Sequence, residues 1–168
     1  MNEVYRHRAV EPDDLAIICK FPQDKDELYF MYPKAEFPLT IEQLQTAIDI
    51  RFDSTVVLLD DRIAGFANFY ESIIGQYCSI GNVIVNPLFR AKGVATYLVC
   101  TMEQIAITKY NAREVHISCF NGNVQGLLLY RKLGYVPYEI EKRFDRKSSP
   151  IALIKMKKEI IVQNSHHD

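Results

Sequence analysis

The chain has 168 residues, 48% of them hydrophobic, which suits one domain with its own core. Its formal net charge of −1 provides no global basic field for nucleic acid. No apolar run approaches the ~20 residues that cross a bilayer, no apolar signal segment opens the chain, and the four cysteines have no metal-ligand spacing. A cytoplasmic protein with reduced thiols and without membrane, nucleic-acid or metal partners is expected.

Tyr5 to Val10 reads as a short strand. Pro12-Asp13-Asp14 then opens a helix through about Lys20, its acidic residues suited to the positive end of the dipole. Phe21 to Leu39 reads as a long connection with three prolines and the rings Tyr29, Phe30, Tyr32 and Phe37, more aromatic than a solvated loop needs. Thr40, with Gln43 three residues on, caps a helix that runs to about Ile50. Ser54–Leu59 and Ile63–Tyr70 form a hairpin around Asp60-Asp61-Arg62, and a third meander strand, Tyr77–Val85, stops at Asn86-Pro87.

Gly93 to Tyr110 is the long helix, with Val94, Leu98, Met102 and Ile105 on one stripe that Ala95, Val99 and Ala106 widen. Glu114–Phe120 is a short strand, and Val124–Leu133 a helix stopped by Gly134. Tyr135–Arg143 and Ile151–Lys157 close as an antiparallel pair. The order predicts one α+β domain over residues 1–160, followed by a polar tail, 161–168, in which His166-His167 read as disordered rather than metal-binding.

The segment from Val83 to Leu98 carries the first chemical signal. A β-branched strand feeds a helix through the basic, glycine-containing turn Arg90-Ala91-Lys92-Gly93. Free N–H groups and the helix dipole make such a turn an anion site. It matches neither a Walker loop nor the dinucleotide fingerprint. Arg90-x-x-Gly93-x-Ala95 instead resembles the pyrophosphate loop, R/Q-x-x-G-x-G/A, of the GCN5-related N-acetyltransferases (GNAT). Asn123 to Pro137 resembles that family's second signature, N-x-x-A-x-x-x-Y-x-K-x-G-F, with Gly126 in place of alanine and Tyr135 in place of phenylalanine.

The resemblance implies a mostly antiparallel sheet of six to seven strands, about four helices, and a splayed fourth and fifth strand pair that admits the arm of acetyl-CoA. It implies an acetyl-CoA-dependent N-acetyltransferase acting by direct attack on a primary amine of a small molecule, peptide or protein. The alternative is an acyl-CoA sensor on the same scaffold with little turnover, and a homodimer is left open. Cofactor contacts fall on Val83, Ile84 and Val85 through their backbone, on Arg90, Ala91, Lys92, Gly93, Val94, Ala95 and Thr96, and on Asn123, whose local role is an N-cap. Ile84 or Val85 N–H is the expected carbonyl polariser.

Tyr130 is the expected hydrogen-bond donor to the departing sulfur, against a plain reading as a core ring. Where relatives carry a glutamate base this chain has Ser79 or Ser118, so Ser79 is expected to order a water and Glu71 is the nearest carboxylate in sequence. Tyr29, Tyr32 and Phe37 are the expected acceptor-binding rings, or else a lid. Cys119 is kept as a remote nucleophile candidate.

Overall fold

The computed structural model describes residues 3–160; the tail 161–168 lies outside them. Seven strands form one sheet in the order β1-β2-β3-β4-β5-β7-β6, where β1 is Tyr5–Ala9, β2 Phe52–Leu59, β3 Arg62–Ile73, β4 Tyr77–Val85, β5 Glu114–Phe120, β6 Val136–Phe144 and β7 Pro150–Glu159. All neighbours are antiparallel except β4 and β5. Five α-helices accompany it: α1 Leu15–Ile18, α2 Lys25–Met31, α3 Ile41–Ile50, α4 Val94–Tyr110 and α5 Val124–Lys132.

Period-2 alternation distributes the apolar residues to two cores. Val57, Ala67, Phe69 and Ile80 pack under α4, against Leu98, Val99 and Met102. Val56, Phe66 and Ile84 face the other way, against Leu15, Leu28 and Leu44 of α1, α2 and α3. Each of the larger side chains, Ala67 aside, contributes about 1.5–3 kcal/mol by leaving water, so α4 is clamped to the strand that leads into it.

Two sequence expectations need correction. The helix expected over Pro12–Lys20 is a 3₁₀ turn, Pro12–Asp14, followed by the single turn of α1. Asp14 is drawn inward to Arg8, which donates at 2.6 and 3.0 Å, and the chain turns there instead of continuing. The long connection Phe21–Leu39 contains α2. Asp24 caps it by accepting from Glu27 N–H, and Glu27 Oε2 accepts from Gln23 N–H. That Asp-x-x-Glu pattern is a start signal, obscured in the sequence by the prolines on either side.

Both departures from the second signature have local causes. A Cβ on Gly126 would lie 2.7 Å from Asn123 Nδ2 and 3.0 Å from Cys119 Sγ, so alanine would require this cap and this thiol to shift. Tyr135 is buried, and its hydroxyl donates to Glu103 Oε1 at 2.9 Å, where Lys158 Nζ also reaches at 3.0 Å. Tyr135→Phe therefore deprives a buried carboxylate of one donor. The expected loss is about 1–2 kcal/mol of unfolding free energy, read as a lower urea midpoint with an unchanged m-value.

Candidate functional site

Pairing between β4 and β5 runs from Tyr77↔Glu114 to Ile80↔Ile117 and stops. Beyond that point the strands diverge, as the resemblance implies, and among the described residues the last ones of β4 have no strand partner on that side. A bulge contributes to the separation: Phe66↔Ile84 is followed by Asn68↔Gly81, so two residues of β4, Asn82 and Val83, stand against Ala67 alone. Asn82 adopts φ 51° there. Asn86 N–H donates to Ala64 O, and Ile84 pairs with Phe66. Strand alternation then turns Ile84 N–H toward β3 and Val85 N–H toward the gap. Of the two amides expected to polarise a carbonyl, Val85 is the one so aimed.

The gap opens into a cleft of about 620 Å³. Val83, Ile84, Val85, Arg90, Ala91, Gly93, Val94, Ala95, Thr96, Asn123 and Tyr130 all line it. Two motifs separated by some thirty residues thus meet across one cavity. Glu27, Phe30 and Met31 of α2 form its remaining wall. Sequence reasoning missed them because it missed the helix.

The turn is built from backbone. Ala91 (φ 60°) and Gly93 (φ 81°) are both left-handed, and Gly93 is the N-cap of α4. Successive N–H groups in such a turn make an anion-binding nest. The basic side chains are otherwise engaged. Arg90 pairs with Glu27 at 2.8 Å, and Lys92 points away to Glu3 at 3.0 Å without lining the cleft. Tyr5 donates to Lys92 O and ties the turn to β1.

Asn123 is the N-cap of α5, its Oδ1 accepting from Gly126 N–H at 3.1 Å, and it also lines the cleft. Tyr130 is buried yet reaches the same wall, and its hydroxyl has no hydrogen bond to the other described residues. Burial, and secondarily the neighbouring Cys119, push its phenol well above the usual range. Cys119 is itself buried and its thiol is pushed up to about 12 by desolvation, which disfavours the thiolate that a nucleophile needs.

The remaining residues lie outside the cleft. Ser79 is buried in the paired half of β4, opposite Glu71 of β3 and His116 of β5, and Glu71 is exposed. Tyr29 packs on Phe120 at 4.8 Å and donates to Phe144 O at 3.2 Å, holding α2 over the gap. Tyr32 is buried with its ring under the Arg51 guanidinium, and Phe37 packs against the α1–α3 core. Below the gap the uncovered sheet face carries Tyr77 stacked on His116 at 4.3 Å, with Tyr138 beside it. His116 Nε2 is held by Glu114 at 2.8 Å. The hints of this group were the polar and aromatic positions alternating with Val115, Ile117 and Cys119 along β5.

The sequence model described as the acetyltransferase (GNAT) family matches residues 19–135. No curated protein matches the chain. Among solved structures, spermidine N-acetyltransferase from Vibrio cholerae in complex with CoA and spermine superposes with a TM-score of 0.76 at 19% identity, over 92% of this chain and 95% of that one. A GNAT-family acetyltransferase from Bacillus anthracis gives 0.75 at 16% identity, over 92% and 94%. Ribosomal-protein-alanine N-acetyltransferase from Brucella melitensis gives 0.73 at 16% identity, over 92% and 99%. At these identities the structures establish the fold. The family match spans most of the chain, and with it the chain is a member of the GNAT acetyltransferase family.

Proposed function

We propose that this acetyltransferase uses acetyl-CoA and transfers the acetyl group to a primary amine of a small molecule or peptide. The observation that supports this most is the meeting of the Arg90–Thr96 turn, Asn123 and Tyr130 on one cleft at the β4/β5 gap. The residues fit the cofactor. The positive-φ turn and the start of α4 would take the pyrophosphate, the open edge of β4 the pantetheine arm, and Asn123 the same arm from the opposite side. Bound there, acetyl-CoA supplies an activated acyl thioester. The protein's own part is to aim Val85 N–H at the gap, to keep a proton on Tyr130, and to exclude water with Phe30 and Met31.

The uncovered face beyond β4 is where the acceptor would approach, on the side away from the turn. Four free cysteines, none bridged to another, suit a cytoplasmic setting. The test is thiol release from acetyl-CoA across an amine library, with CoA affinity measured separately by calorimetry. Acceptor-dependent release supports the enzyme. Tight CoA binding with no amine-dependent release supports the sensor instead.

A further inference from the structure

Arg51 follows α3 directly and lays its guanidinium over β4 at the position of Gly81. A Cβ on Gly81 would come within 2.5 Å of Arg51 Nη1 and 2.9 Å of the Tyr70 ring, so the missing side chain leaves the space that the guanidinium occupies. The cation sits 6.0 Å from the centroid of Tyr32 and 5.7 Å from that of Tyr70. Nη1 donates to Asn68 Oδ1 at 3.1 Å; Asn68 Nδ2 donates to Asn82 Oδ1 at 2.9 Å; Asn82 Nδ2 donates to Met31 O at 3.0 Å. Asn68 and Asn82 are buried. Among the described residues no carboxylate pairs with Arg51, whereas Arg8, also half-buried, has Asp14.

A cation in this position is costly unless something offsets its desolvation, and burial indeed pulls the Arg51 pKa down. The asparagine chain and the two rings hold it, but a guanidinium has five N–H donors in a planar fork suited to a carboxylate, and Asn68 takes one. The location connects it to the reaction. Asn82, the last link, is the bulge residue next to Val83, and Met31 lines the cleft. Tyr70 reaches toward Ser118 Oγ, 3.5 Å away, across the point where β4 and β5 part. Arg51 therefore stands beside the mouth of the gap, on the side opposite the phosphate turn.

We propose that Arg51, framed by Tyr32, Tyr70 and Gly81, is the acceptor-recognition residue of this enzyme, and that the acceptor is a small amine that also carries a carboxylate. This rests on the acetyltransferase reading above and adds the substrate class. It also argues against a polyamine at this point. The ring faces that would attract an ammonium are already covered by a guanidinium, whose charge repels a second cation. A carboxylate gains two parallel charge-assisted hydrogen bonds, and a neutral isostere leaves the fork unpaired.

The test uses free amino acids, including β-alanine and 4-aminobutyrate, each against its carboxamide, with wild type, Arg51→Gln and Arg51→Lys. For the best acceptor, kcat/KM for the carboxylate is expected to exceed that for the carboxamide by at least about thirtyfold. Arg51→Gln should bring the ratio within about threefold, through KM, with the CoA dissociation constant unchanged. Arg51→Lys should fall between, because a point charge replaces the fork, and it carries the test if the glutamine variant does not fold.

Saturation-transfer NMR with the same pairs reads the site without turnover. Contact by the carboxylate that is lost in Arg51→Gln supports the proposal even where no thiol is released, an outcome that would count only against the transferase. Preference of the wild type for carboxamides or diamines, a ratio that survives in both variants, or equal NMR contact by carboxylate and carboxamide would overturn it.

Discussion

Gly93→Val is expected to weaken CoA binding at least thirtyfold in a calorimetric titration, whereas Arg90→Ala should change it only about threefold. The contrast follows from what the turn is made of. Gly93 has φ 81° at the N-cap of α4, and Ala91 has φ 60° two residues earlier. A residue with a Cβ loses about 1–2 kcal/mol in the left-handed region, and a β-branched one more. Space is not the obstacle, since a Cβ at Gly93 would meet only Tyr5 Oη, at an ordinary 3.4 Å. Relief of the strain must come from rotating the peptide, and this re-aims the N–H groups at the start of α4, where Val94, Ala95 and Thr96 line the cleft.

Thirtyfold is about 2 kcal/mol, close to the strain alone. Arg90, by contrast, is half-exposed and already paired with Glu27. Its removal deletes a screened charge whose partner is also present, an effect of under about 1 kcal/mol. If Gly93→Val binds CoA as wild type does, the turn is not the pyrophosphate site.

How legible this was varied with the range of the interaction. The strands, α4 and α5 were legible because each is announced by local pattern and bounded by its own punctuation: Asn86-Pro87 after β4, Gly93 before α4, Gly134 after α5. The donor side was legible for the same reason, since its backbone geometry is encoded in two short contiguous motifs. Helix α2 was not, because seven residues between prolines make little periodicity, and its cap is a single Asp-x-x-Glu.

The acceptor side was not legible either. Arg51, Asn68, Asn82 and Met31 are joined by hydrogen bonds between residues 14 to 51 positions apart. Nothing local to Arg51 distinguishes it from a solvated lysine or arginine after a helix. Tyr32 read as a ring free to stack on a ligand, yet its face is covered by Arg51. Lys92 read as a phosphate ligand, yet it turns to Glu3, brought near by β1. In each case a long-range partner decided the role.

Tyr130→Phe is expected to lower kcat at least tenfold while leaving CoA affinity and unfolding free energy within experimental error of wild type. The ring alone accounts for the packing. It meets Tyr135 at 6.2 Å in an edge arrangement and fills the core under α4, and phenylalanine keeps both. The hydroxyl makes no hydrogen bond to other described residues, so its loss leaves no orphaned partner in the fold. A purely structural tyrosine would therefore show no kinetic effect. A donor aimed at the cleft would show one confined to the step in which negative charge builds on the departing sulfur.

The size follows from the environment. A hydrogen bond to developing charge in a buried site contributes about 1.5–3 kcal/mol, which is tenfold or more. The raised phenol also makes complete proton transfer to a thiolate less favourable than an ordinary tyrosine would, so Tyr130 acts by keeping its proton and sharing it. The sign then determines the pH behaviour. A group raised by burial stays protonated throughout the working range, so Tyr130 contributes no alkaline limb to the wild-type rate. The variant should lower the whole profile without shifting it. An alkaline limb present in the wild type and lost in the variant would show instead that Tyr130 titrates within the working range.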